Sequence, residues 1–294
     1  MDRKKFIRNT VKAMVGAAAS GAALKSESKS QPGVYTEKVG FNHLPPRTSS
    51  LSTKKEETMK TILHTADSRG HANHGWLDSH HTFSFANYHD PKRMHFGVLR
   101  VLNDDIVAPG RGFGTHPHDN MEIISIPLSG DLKHEDSMGH KAIIREGDIQ
   151  VMSAGTGIFH SEYNANDHKE VKFLQIWLFP KNKNIEPRYD QVSIQEMAKN
   201  NSFYQVLSPN ADDPGVWVHQ DAWFHLGDFD SGVTQTYHVK KQQNGVYVFV
   251  LEGEIDIHGQ KLSARDGYGI WDTGQFDVKT NKKSKVLLME VPMN

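Results

Sequence analysis

Residues 110–164 decide the fold. They open as Gly110-Arg-Gly-Phe-Gly-Thr-His116-Pro-His118-Asp-Asn-Met-Glu122 and close as Gly155-Thr-Gly157-Ile-Phe-His160-Ser-Glu162-Tyr-Asn164. Each end carries two metal-capable side chains at i and i+2, and on a β-strand that spacing turns both to one face. His-x-His alone is a weak signal, because two histidines so spaced are commonly core or surface residues. The second end strengthens it: a Gly-x-Gly turn leads into His160, Glu162 and Asn164 in strict alternation. Between the ends, turns at Ser129-Gly130-Asp131, Met138-Gly139-His140 and Glu146-Gly147-Asp148 predict successive hairpins. Such a meander brings the second pair beside the first, so that three imidazoles and a carboxylate can converge inside a barrel.

Working outward, alternation predicts strands over 95–102, 121–128, 142–145, 148–153 and 171–179. If the strand after His118 is unbroken, Glu122 shares a face with His116 and His118 and competes with Glu162 as a fourth ligand. The segment 64–88 is polar, aromatic and punctuated by glycine, and it alternates too poorly for a buried strand. It reads as an irregular cap over the barrel, with His71, His74, His80 and His81 near the mouth and Trp76, Phe83 and Phe85 as anchors. Beyond the boundary at Glu186-Pro-Arg-Tyr189, residues 191–200 are the one helix candidate.

The signals of the first half recur about 120 residues later, with Gly130 matched by Gly253 and Gly147 by Gly267. At that displacement His116 and His118 fall on Thr236-Tyr-His238, and His160 falls near Thr280. The chain therefore reads as two copies of one all-β unit, the second without the ligand set.

Lys and Arg total 34 against 35 Asp and Glu, a net charge of −1, so no global basic field points to nucleic acid. The absence of cysteine excludes disulfides, thiolate metal sites and a cysteine nucleophile. Eighteen histidines, many between His64 and His168, favour chemistry in the first half.

The N-terminus begins Met-Asp-Arg3-Lys4-Lys5-Phe6-Ile7-Arg8 and continues into a mild apolar run of Ala and Gly. Residues 1–24 thus read as an export signal, too short and weakly apolar to span a membrane. Their order is similar to a twin-arginine signal with lysine in place of the second arginine, which implies a periplasmic destination; a short amphipathic helix on a cytoplasmic protein is the alternative. Residues 25–58, rich in Ser, Lys, Glu and Pro, read as a disordered tether. The expected folded units are 59–185, with the site, and 186–294, without it.

The pattern Gly-x5-His-x-His-x3-Glu, then Gly-x2-His-x3-Asn, resembles the two cupin motifs at Gly110, His116, His118, Glu122, Gly157, His160 and Asn164. The wording is closer still to the pirin family and its bacterial quercetin 2,3-dioxygenase branch. Arg69-Gly-His-Ala-Asn-His-Gly-Trp-Leu-Asp-Ser, Gly112-Phe-Gly-Thr-His-Pro-His, His134-Glu-Asp-Ser-Met-Gly and the run 152–164 all carry that likeness. The resemblance implies a bicupin of two double-stranded β-helix barrels and a single metal held by His116, His118, His160 and Glu162. Of the two carboxylates it favours Glu162, with Glu122 in a supporting place.

Such a donor set suits Fe(II) and can also hold Ni, Cu, Mn or Zn. The resemblance further implies dioxygen and a flavonol such as quercetin as substrates, release of carbon monoxide, and Glu162 as catalytic base. It leaves a second reading, a non-catalytic metal-binding regulator controlled by redox state, and a third, a cupin isomerase or storage fold. A monomer is compatible with everything in the sequence.

Overall fold

The computed structural model describes residues 59–293, so the export-like and tether segments lie outside the described residues. The rest is built of strands with two short 3-10 turns, Ala66–Ser68 and Gln195–Met197. A seven-stranded sheet runs in the order Arg188–Ser193, Asp148–Ser153, Glu122–Ser129, Val171–Leu178, Leu99–Val107, Leu77–His81 and Gly70–Asn73. A four-stranded sheet of Gly112–His118, Ile158–Asn164, Leu132–Asp136 and Lys141–Ile144 closes it into the first barrel. The second half repeats the arrangement, again with seven and four strands. The two-barrel expectation holds: the molecule is an all-β bicupin.

The two large sheets share a core. Ile124 and Ile126 of one pack with Phe224, Tyr247, Phe249, Leu287 and Met289 of the other in one buried cluster. Asp148–Ser153 is buried at every position, its Ile149 and Val151 in the shared core and its polar Asp148, Gln150 and Ser153 buried as well. The interior of the second barrel is largely apolar, filled by Val248, Ile255, Phe276 and Leu288 among others. His238 stands exposed on its strand.

Two strands cross the expected boundary at residue 186. Lys60–His64 pairs with Gly267–Trp271 of the second barrel, and Arg188–Ser193 pairs with Asp148–Ser153 of the first. The helix expected over 191–200 is therefore absent: its first part is an edge strand, followed by a single 3-10 turn. The edge of Asp148–Ser153 offers a row of backbone groups that need partners, and Gln191 fixes the pairing by donating from Nε2 to Ile143 O and to Asp148 Oδ2.

The cap over 64–88 is also more regular than its sequence pattern suggests. Gly70–Asn73 and Leu77–His81 form a hairpin that extends the large sheet, and the latter strand does alternate between buried and half-buried. Phe83 turns away from the mouth into the shared core. Of the three expected hairpin turns, only the one at Gly139 joins paired strands. Those at Gly130 and Gly147 are corners where the chain changes sheets.

Candidate metal centre

The chain brings its two ligand-bearing strands together by direct antiparallel pairing, not through a meander. Gly112–His118 pairs with Ile158–Asn164, and His116 lies opposite His160. The register slips between His160 and Glu162, a bulge that re-aims the side chains beside it. Close approach is possible because Gly112 has no side chain: a Cβ there would meet Glu162 O at 2.2 Å.

The imidazoles of His116, His118 and His160 converge, with one nitrogen of each within 4.8 Å of the others. Ring centroids stand 4.4 Å apart for His116 and His160, and 4.9 Å for His118 and His160. His116 Nδ1 donates to Gly114 O at 2.8 Å, which leaves Nε2 free to ligate. His160 is 2% exposed, and neither of its ring nitrogens has a partner. A buried imidazole with both nitrogens unpaired is rare in a folded protein, and a metal ligand is one way to satisfy it.

Glu162 is buried at 3% exposure beside His160, and the two form a second close cluster with His134. Its Oε1 accepts from Ser125 Oγ at 2.9 Å and its Oε2 from Gln175 Nε2 at 2.8 Å. Burial pushes its carboxyl up to about 7 against those hydrogen bonds. Burial likewise holds His118 down to about 4 and His160 far below the usual imidazole range, reinforced by the neighbouring histidines. His118 and His160 are thus neutral at pH 7, the form a metal binds. Three imidazole nitrogens and a carboxylate fit a divalent transition metal.

Glu122 does not join this cluster. The chain bends at Asn120, whose φ of 47° is left-handed, before the strand Glu122–Ser129 begins in the other sheet. Glu122 therefore faces the second barrel, where Oε2 accepts from Ser153 Oγ at 2.8 Å and from the backbone N–H of His219 at 3.2 Å.

His134 has a place that its sequence did not reveal. It is fully buried opposite Glu162, and its Nε2 lies 3.2 Å from Asp136 Oδ2. Asp136 also lies 3.0 Å from Nδ1 of the partly exposed His140, so the row runs from solvent to the ligand cluster. Its i, i+2 spacing to Asp136 was the available signal.

The cluster sits at the foot of a cavity of about 700 Å³. Trp76, Phe85, Tyr88, Phe113 and Trp177 wall it with aromatic surface, and His71, His74 and His81 of the cap also line it.

These features are those of a cupin with a candidate mononuclear metal centre. The Pirin family model matches residues 62–178, and the model of the quercetinase C-terminal cupin domain matches residues 205–291. The chain belongs to the pirin family. It is 45% identical over 234 residues to the quercetin 2,3-dioxygenase of Escherichia coli K12, covering 78% of this chain and 98% of that one. It is 37% identical over 225 residues to a pirin-like protein of Caulobacter vibrioides, covering 76% and 96%. Among solved structures, the bacterial pirin YhhW of E. coli in complex with nickel(II) superposes with a TM-score of 0.75 at 42% identity, covering 80% of this chain and all of that one.

Proposed function

We propose that this protein is a metal-dependent flavonol 2,3-dioxygenase that cleaves the heterocyclic ring of quercetin or a close relative with dioxygen and releases carbon monoxide. The observation that carries the reading is a cluster of three imidazoles, with a buried carboxylate beside one of them, His160, opening into an aromatic-walled cavity. The names of relatives at 45% identity support the activity, and the nickel complex of a structural relative supports a metal. His116, His118, His160 and Glu162 would hold it.

When bound, a divalent transition metal supplies Lewis acidity and redox capacity at an open coordination position. The chain's own groups do the remaining work. Trp76, Phe85 and Trp177 offer faces and edges against which a flat ring system can pack, and they exclude water from the cluster. Glu162, held by Ser125 and Gln175, would take the proton of the flavonol 3-hydroxyl.

Glu162→Gln tests that role, because it nearly preserves shape while removing charge and basicity. The expected result is a loss of turnover of about 100-fold or more, in line with general-base catalysis. A variant that keeps its metal and its full turnover would make Glu162 a ligand only. Protein loaded separately with iron(II) and nickel(II) identifies the working metal. A protein that binds metal but consumes no oxygen with any flavonol would favour the regulator reading.

A further inference from the structure

We infer that the cavity holds, beside the ligand cluster, a set of hydrogen-bond acceptors on two adjacent rows, Asn103 and Gln175 on one and Asp105 on the next, that receives the phenolic hydroxyls of a flat, polyhydroxylated aromatic substrate. The inference deepens the flavonol reading and rests on it.

The rows follow from the register of the large sheet. His81 lies opposite Asn103, Asn103 opposite Gln175, and Gln175 opposite Ser125. Residues opposite one another in a ladder project to the same face. One polar row therefore crosses four strands on the inner face of the barrel, and Ser79 with Asp105 begins the next row. Apolar clusters bound it on both sides, Leu77, Val107 and Phe173 at one end and Ile123, Met152 and Ile158 at the other.

A barrel that needed only stability would fill that middle layer with apolar side chains too, as Val248 and Leu288 do in the second barrel, where the row runs on to the polar His225. Buried polar atoms are nearly always paired in folded proteins. Here Asn103 Oδ1 and Gln175 Oε1 are buried with no partner, on residues 2% and 7% exposed. Gln175 has already committed its Nε2 to Glu162, so its Oε1 is fixed as an acceptor awaiting a donor. Asp105, 3% exposed, accepts from Ser79 Oγ on Oδ1.

All three residues line the cavity that holds His116, His118, His160 and Glu162. Among the described residues no lysine or arginine lines it, and two carboxyl groups do, which disfavours an anionic ligand. Unfilled acceptors call for donors, and aromatic walls call for a flat ring. Phenolic hydroxyls away from the metal-chelating edge of a flavonol meet both demands.

The test compares quercetin with two flavonols, one lacking the hydroxyls of the pendant ring and one lacking those of the fused ring. Nickel-loaded wild-type protein and Asn103→Leu are titrated calorimetrically with each, and oxygen uptake is followed in parallel. One lost hydrogen bond predicts that the wild type binds quercetin about tenfold more tightly than at least one analogue. In Asn103→Leu that preference falls to near unity, while metal content and thermal unfolding stay as in the wild type. Should the leucine variant fail to fold, Asn103→Ala is read in the same way.

A preference that survives in the variant, or is missing from the wild type, overturns the subsite. Discrimination in binding without oxygen uptake under any of iron, nickel, copper and manganese sustains the subsite and defeats the dioxygenase reading. Turnover without discrimination does the reverse.

Discussion

His160 stands at the heart of the candidate centre: burial keeps its imidazole neutral, and among the described residues nothing pairs with either nitrogen. His160→Ala is expected to lose nearly all bound metal, read by elemental analysis, while the barrel still unfolds cooperatively. Glu162 sets the pH dependence. With its carboxyl pushed up to about 7 it is protonated below that pH, so a metal must displace one proton there and none above. Apparent metal affinity should rise about tenfold per pH unit toward pH 7 and then level off, as measured by competition with a chromophoric chelator. A flat profile from pH 5.5 to 8 would remove Glu162 from the ligand set. Ser125→Ala, which takes away one partner of that carboxylate, should weaken binding about 10–100-fold. The two candidate pairs were legible because each alternates along one strand, and the choice of Glu162 over Glu122 rested on the family likeness. The place of His134 was hidden, since its neighbour Glu162 is supplied by a different strand and only cross-strand register joins them.

At the level of strands, Glu122 clasps one barrel to the other through Ser153 and His219. Burial raises its carboxyl from 4.5 to about 7 despite those hydrogen bonds and the nearby Arg188. A group raised in the folded state contributes stability that is present below its unfolded value and lost as pH rises through its folded value. Wild type should therefore lose stability relative to Glu122→Gln between about pH 5 and 8, by about 3 kcal/mol at most. Unfolding in denaturant at each pH measures the difference, and the variant should retain its metal. An unchanging difference would mean that Glu122 is ionised throughout. Five strands of the first barrel were read from alternation, the one expected over 95–102 running instead at Leu99–Val107, yet Glu122 could not be placed from its local pattern. The expectation of an unbroken strand failed at Asn120, where a left-handed residue separates the two sheets. The helix over 191–200 failed for a different reason: the open edge of Asp148–Ser153 overrides local propensity.

Across the whole molecule the repeat divides the labour. The first barrel keeps the histidine cluster and the aromatic-walled cavity, whereas the second has a largely apolar interior with His225, Tyr237 and Glu290 beside a smaller cavity. His238→Ala, on an exposed position of the second barrel, should change neither metal content nor turnover. The repeat was legible from its matched turns, but the exchange of edge strands between barrels was not, because no local pattern names a strand's partner. We further propose that residues 1–24 direct export along a route that carries folded, metal-loaded cargo. Fractionation of cells expressing the full chain should find it outside the cytoplasm, and unprocessed protein confined to the cytoplasm would defeat that idea. The central claim is catalytic, and one measurement reaches it most directly: oxygen consumption and carbon monoxide release by protein loaded with a single defined metal and given quercetin. The account predicts that both gases change in equal amounts, and that both signals vanish in His160→Ala. Loaded wild-type protein that consumes no oxygen with quercetin under iron, nickel, copper or manganese would contradict it.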